Sequence, residues 1–300
     1  GKDFIPVDID LQSAALTENL TGLLSGLSEE IAKRLHQRYI RVEALTRENL
    51  SNSPYSVFEK WLDKVQNLLP ESNKILLALD EYEKLEEAIK SGKIGIEILD
   101  ELRHISQHHR RFVLLLVGSN MFRDMEINWS NYFITAMNIH ISYLTPDEIK
   151  PLIVQPVPEF NLRYTAGTVE KIIESTNCQP FLVQAVCFEL VKLLNEENRR
   201  EALPADIDEA VSSAIKSGDV YFGELWNKIG EVGKKILSAI SNASQGVEIT
   251  EMAKSLNLSI EEIKPVFSYL SRTDVLKKTG EERYQLYVPM IARWILTNEE

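Results

Sequence analysis

Lys74-Ile75-Leu76-Leu77-Ala78-Leu79-Asp80-Glu81, KILLALDE, carries five apolar residues straight into two adjacent carboxylates. A run this short and continuous suits a strand buried on both faces of a parallel sheet. In open α/β sheets ligands bind beyond the carboxyl ends of such strands, so Asp80 and Glu81 predict a polar site at a strand tip. Acidic residues also favour the start of a following helix through its dipole, so the octamer takes its meaning from its neighbours.

Upstream, Phe4 to Leu11 is a strand candidate with Pro6 near its start, followed by an apolar helical face from about Thr17 to about Tyr39. Pro54 opens a second helix, which Pro70 and Asn73 close. Downstream, Glu97 to Gln107 reads as a helix and RFVLLLVG, Arg111 to Gly118, as a second apolar strand running into Ser119 and Asn120. Ala136 to Leu144, AMNIHISYL, alternates like a third strand. Strands spaced by helices predict an α/β parallel sheet with both polar tips facing one crevice. There Asp80 would hold a magnesium ion through water, Glu81 would orient an attacking water, and Ser119 or Asn120 would sense a terminal phosphate.

After Thr145-Pro146 the pattern is helical, with helices predicted over 148–154, 168–176, 180–195 and 204–217. From about Tyr221 three helices precede a hairpin turning at Thr279-Gly280-Glu281, which describes a winged helix-turn-helix. The expected division is an incomplete α/β core over 1–145, a helical lid over 146–220 and a winged helix domain over 221–300.

With 300 residues, 44% of them hydrophobic, the chain can bury a substantial core. Its net charge of −12 argues against coating nucleic acid or an anionic membrane. Cys178 and Cys187 have no metal-type spacing and read as small buried residues in a reducing compartment. No apolar run approaches the roughly 20 residues needed to span a bilayer, and no signal-peptide pattern opens the chain, so a cytoplasmic location is expected. Gly1 stands where an initiating Met would, with a strand starting at Phe4, so a fragment of a longer protein or a processed form is expected.

From Phe4 to about Trp294 the order of these segments resembles the AAA-like ATPase module of bacterial STAND-type signalling proteins, relatives of archaeal ATPases and P-loop NTPases. The matching pieces are PVDIDLQ, LLALDEYEKL as Walker B, RFVLLLVGSN as the sensor strand and ISYLTPDEIKPLIVQPV leading into the lid. Ser175-Thr176-Asn177-Cys178-Gln179-Pro180 with FLVQAVC matches the lid turn, and YFGELW and VPMIARWI bracket the winged helix. The resemblance implies ATP with magnesium as cofactors, upstream or downstream domains of a parent protein as partners, and nucleotide contacts at Asp80, Asn120 and Pro180.

Two departures from the family pattern matter. No G-x-x-x-x-G-K-[ST] occurs: Gly1-Lys2, Gly92-Lys93 and Gly233-Lys234 lack both the following hydroxyl and the upstream Gly. The family places the strand leading to that loop between the sensor strand and the strand matched by Ala136 to Leu144. Without it both would have unpaired edges, which invites self-association. In the lid turn the family's Gly before Pro is replaced by Gln179, which leaves helix capping as the competing role of Pro180.

Three further stretches have ordinary readings. His108-His109-Arg110-Arg111 is where a finger arginine could sit, and a basic solvated turn is the simpler account. Glu81 to Glu87 reads as a solvated helix face beyond its first residue. Along Ser259 to Thr273, Glu261 and Glu262 offset Lys264 and Arg272, a poor balance for phosphate contacts. The sequence thus predicts an ATP-binding switch module that does not hydrolyse ATP appreciably without a phosphate loop. The alternative is a non-enzymatic winged-helix regulator that binds protein or DNA.

Overall fold

The structure is a computed structural model and describes residues 4–243 and 246–298. The chain divides into two compact units, Gly1–Asn138 and Ile139–Glu300.

In the first unit β1 (Phe4–Asp10) leads through a short α1 (Ala14–Thr17) to α2 (Leu20–His36). Asn19 caps α2 by accepting the Gly22 N–H, and α2 buries Leu23, Leu24, Leu27, Ile31 and Leu35 along one face. Next come α3 (Pro54–Leu68), β2 (Lys74–Asp80), α4 (Glu83–Lys90), α5 (Glu97–His108), β3 (Phe112–Leu116) and a short α6 (Trp129–Tyr132). The three strands form a parallel sheet in the order β1-β2-β3. β2 lies centrally, with Ile75, Leu77 and Leu79 all within 1% of full burial. β1 alternates, burying Ile5, Val7 and Ile9 and exposing Pro6, Asp8 and Asp10, as an edge strand with one dry face should.

The third predicted strand does not form. Residues 136–144 carry neither helix nor strand, and Met137, Ile139 and Ile141 stand 83%, 67% and 87% exposed. Their alternation is strand-like, but a strand exists only when a neighbour takes up its backbone hydrogen bonds, and no strand among the described residues does so.

The predicted basic turn is largely structural. Its Arg111 guanidinium donates to the carbonyls of Leu69 (3.2 Å), Asn73 (3.4 Å) and Pro70, closing the loop between α3 and β2. His109 is buried against Gln66, 2.8 Å from its amide, and burial depresses its pKa. Arg110 is exposed.

The second unit runs α7 (Pro146–Val154), β4 (Arg163–Tyr164), α8 (Thr168–Thr176), α9 (Pro180–Glu196), β5 (Glu201–Ala202), α10 (Pro204–Ser217) and α11 (Asp219–Lys228). It continues with α12 (Gly230–Ser241), β6 (Val247–Glu248), α13 (Ile249–Leu256), α14 (Ile260–Arg272), β7 (Leu276–Lys278), β8 (Arg283–Leu286) and α15 (Pro289–Asn298). Reciprocal capping boxes start α7, at Thr145 and Glu148, and α14, at Ser259 and Glu262. β4 and β5 pair in parallel, while β6, β8 and β7 form an antiparallel sheet in that order. One apolar core extends from Ile149 to Ile295, and α15 returns to lie against α8, α10 and α12.

Candidate functional site at the carboxyl end of the sheet

The β1–β2 register sets Asp10 opposite Asp80, and the Leu11 N–H donates to the Asp80 carbonyl at 3.1 Å. Two carboxylates therefore end neighbouring parallel strands. Asp80 is exposed, and its Oδ1 accepts the Glu81 N–H at 3.0 Å.

Glu81 has φ 55°, in the left-handed region that a residue with a Cβ enters only at a cost of about 1–2 kcal/mol. The strain turns the chain sharply between β2 and α4. Tyr82 then donates its N–H to the Val117 carbonyl (3.2 Å), while the Val117 N–H reaches Leu79 (2.9 Å), so the turn is stitched to the end of β3. We expect Glu81→Gly to raise the unfolding free energy by up to about 1 kcal/mol, the relief of strain exceeding the entropy of the added glycine. A chemical denaturation midpoint shifted upward, with an unchanged slope, would be the supporting result.

α4 holds the Ser119-Asn120 loop directly. Glu83 Oε1 accepts the Asn120 N–H at 2.6 Å and the Ser119 hydroxyl at 3.3 Å, and the Tyr82 hydroxyl donates to the Asn120 carbonyl. Burial, followed by the nearby Glu83 carboxylate, raises the Tyr82 pKa, which keeps that hydroxyl protonated and donating. A Cβ on Gly118 would lie 2.2 Å from Glu83 Oε2, so a side chain there would push the carboxylate from its present position against the loop. Farther along, Glu86 Oε1 accepts the Ile127 N–H at 2.7 Å and Lys90 pairs with Glu126 at 2.5 Å.

The segment predicted as a solvated helix face is thus partly an inward clamp, with Glu86 only 8% exposed. Glu83, Glu86 and Lys90 recur at steps of three and four, the spacing of one helix stripe. That spacing was the available signal. It goes unnoticed when charged residues are assumed to face water.

Asp80, Glu81, Ser119 and Asn120 are accordingly brought together at one end of one sheet. Pro180 belongs to the second unit, where it is the first residue of α9 behind Gln179, whose side chain accepts the Leu182 N–H at 2.6 Å. Asn177 and Cys178 take left-handed backbone at φ 47° and 61°, so this turn forms with no glycine in it. The local role of the Gln179-Pro180 pair is helix capping.

Among the described residues no group of three or more His, Cys, Asp or Glu side chains is arranged to hold a metal. No helix among them is long and apolar enough to cross a membrane.

No family model and no curated protein matches the chain. Similarity appears in solved structures. The Walker-type ATPase paby2304 of Pyrococcus abyssi superposes with a TM-score of 0.65 at 16% identity, over 97% of this chain and 84% of that one. This chain shares the fold of that Walker-type ATPase. More distant are the Aeropyrum pernix Orc1 protein solved with DNA (TM-score 0.43, 10% identity, 99% of this chain and 78% of that one) and the Thermotoga maritima RuvB Holliday junction branch migration motor. The latter gives a TM-score of 0.38 at 13% identity over 90% of this chain and 94% of that one. The small parallel sheet with many helices is consistent with a P-loop NTPase core.

Proposed function

We propose that these residues are the Walker B and sensor portion of a STAND-like ATP-binding switch, followed by a helical lid over 146–220 and a winged helix domain over 221–300. The observation that carries this is the clamp at the sheet's carboxyl end: Tyr82 and Glu83, directly after Asp80-Glu81, grip the Ser119-Asn120 loop at the end of the neighbouring strand. Such a link would let a change at either tip be felt at the other.

Asp80 suits magnesium. It is an exposed oxygen donor beside a second strand-end carboxylate, Asp10, and magnesium is usually held by one or two carboxylates with waters and substrate phosphates completing the shell. When bound, the ion would neutralise phosphate charge. Glu81, fixed by its strained backbone, would orient the attacking water. Ser119 and Asn120 would read the terminal phosphate, with the Asn120 main chain already committed to Glu83 and Tyr82 and its side-chain amide left for the ligand. Pro180 would lie against the base. The phosphate loop absent from these 300 residues would come from another part of the polypeptide, in a cytoplasmic signalling protein.

The helix–helix–hairpin arrangement of α13, α14, β7 and β8 supports the winged helix assignment. Exposed Glu261, Glu262 and Lys264 mix charge on α14, and Arg283 in the hairpin pairs with Glu248 at 2.9 Å. This pattern favours protein packing over phosphate contact.

Calorimetry with ATP and magnesium tests the proposal, run on this chain and on a version carrying a phosphate loop upstream of Phe4. Binding by the longer version only, weakened at least tenfold by Asp80→Asn, is the expected result. Failure of both to bind would sink the ATP-switch assignment.

A further inference from the structure

At the end of α2 the chain reads Lys33-Arg34-Leu35-His36-Gln37-Arg38-Tyr39-Ile40-Arg41, with no Asp or Glu from Ile31 to Val42 in a chain of net charge −12. The first two cations are occupied. Lys33 pairs with Glu30 at 2.8 Å, and Arg34 with Glu30 at 3.2 Å and Asp8 at 3.7 Å. Basic groups in a last helical turn also complement the helix dipole, which accounts for both without a ligand. Arg38 and Arg41 lie beyond the helix and are exposed, and their guanidinium groups have no partner among the described residues.

Between these two arginines stands Tyr39. The Tyr39 N–H donates to the His36 carbonyl and the Ile40 N–H to the Leu35 carbonyl, both at 3.0 Å, the paired bonds of a Schellman cap. Tyr39 takes the place in that motif that glycine usually fills, at φ 63°, where a bulky residue is a steric outlier. The apolar contact that accompanies such a cap is left to Ile40, which packs against the core of the first unit, while Tyr39 is 96% exposed. The Tyr39 ring therefore adds nothing to packing, and its backbone carries a strain that glycine would relieve. Strain held at an exposed residue points to a use outside the fold.

The chemistry of the turn selects the partner. Three residue steps separate Arg38 from Arg41, so their backbones lie within about 11 Å of each other with Tyr39 between them. Unpaired bases stack on exposed aromatic rings while arginines take the adjoining phosphates. An acidic peptide would use the arginines and leave the ring idle. A duplex keeps its bases stacked inside and would bring a dense, stiff backbone against the acidic remainder of the surface. A flexible single strand can meet the turn alone.

We propose that the turn after α2 binds single-stranded nucleic acid, with Tyr39 stacked on one base and Arg38 and Arg41 on the flanking phosphates. This is a short local contact, different from the coating of nucleic acid that the net charge opposes. It is independent of the ATP-switch reading.

Fluorescence anisotropy of a labelled oligothymidine of about 15 nucleotides, titrated with the 300-residue chain, tests this. Binding is expected with a dissociation constant of about 10–100 µM near 50 mM salt, and the logarithm of the association constant should fall against that of salt with a slope of about −1.4, the value for two phosphate contacts on a single strand. Tyr39→Ala should weaken binding by about fivefold or more, and Tyr39→Phe, which keeps the ring face, should preserve it. Arg38→Glu with Arg41→Glu should abolish binding and leave the melting temperature unchanged. Tyr39→Gly separates a binding role from a structural one: affinity should fall as it does for alanine, while the melting temperature holds or rises as the backbone strain is relieved. No binding up to about 500 µM protein, equal affinity for a duplex of the same length, or binding indifferent to Tyr39 would overturn the proposal. Displacement of the oligomer by an equal concentration of polyglutamate would also overturn it and mark the turn as a site for acidic peptides.

Discussion

Replacing Glu101 with Gln is expected to raise the unfolding free energy by about 2–3 kcal/mol near pH 8 and to change it little near pH 4. Glu101 sits on α5 only 7% exposed, and one of its oxygens, Oε1, is buried with no hydrogen-bond partner in the structure. Burial, followed by the Glu59 carboxylate on α3, pushes its pKa from 4.5 to about 7. The folded state thus holds this proton more tightly than the unfolded chain does. Stability contributed by the neutral form is fully present below the unfolded value of about 4.5, is lost as pH rises through the folded value of about 7, and stays lost above it. Glutamine mimics the protonated acid at every pH. Denaturant unfolding of both proteins across this window measures the difference, and parallel curves without a pH-dependent gap would refute it. Tyr55, whose own pKa is pushed up to about 12 by burial and then by Glu97, Glu101 and Asp100, belongs to the same acidic interface but stays neutral throughout.

Trp129→Ala is expected to cost about 3–5 kcal/mol, the range for deleting a large buried aromatic side chain. Trp129 is fully buried, with ring centroids 5.0 Å from Tyr82, 5.8 Å from Phe122 and 6.0 Å from Phe133. It supports the connection that follows the Ser119-Asn120 loop, and its partner Tyr82 is one of the groups gripping that loop. The substitution should therefore accelerate amide exchange at Asn120 as well as lower stability. Trp129→Phe should lose much less, because the indole N–H it removes is buried without a partner and the ring stacking remains. A Phe variant as unstable as the Ala variant would show that the indole's extra volume, not its stacking, fills this core.

Much of this architecture was legible in local pattern. KILLALD matched a buried central strand because only a run apolar on both faces fits between two neighbours, and observed β2 ends at Asp80 as the reading required. The helices starting at Pro54, Thr168, Pro180 and Pro204 announced themselves through proline at the first turn or three- and four-residue apolar steps. What escaped was non-local. Residues 136–144 have a strand's alternation, yet pairing depends on a partner that no window of sequence contains. The grip of Glu83 on Asn120 spans 37 positions, and the bond from Glu86 to Ile127 spans 41, so the helix stripe signals that these carboxylates share a face but does not name their partners. The helix Asp219–Lys228 was also missed, because its apolar residues continue the core of α10 rather than stand apart from it.

The continuous core of the second unit bears on how such a polypeptide could be inherited. Phe222 stacks on Trp294 at 5.9 Å, the Trp294 indole donates to Asp219 at 2.8 Å, and α15 lies against both α8 and α10. A recombination event breaking the gene at Tyr221 would deliver a hairpin-bearing piece stripped of Ile172, Ile207 and Val211, and leave behind helices with their apolar side bare. Exchange between genes should therefore preserve everything from Ile149 to Ile295 as one cassette.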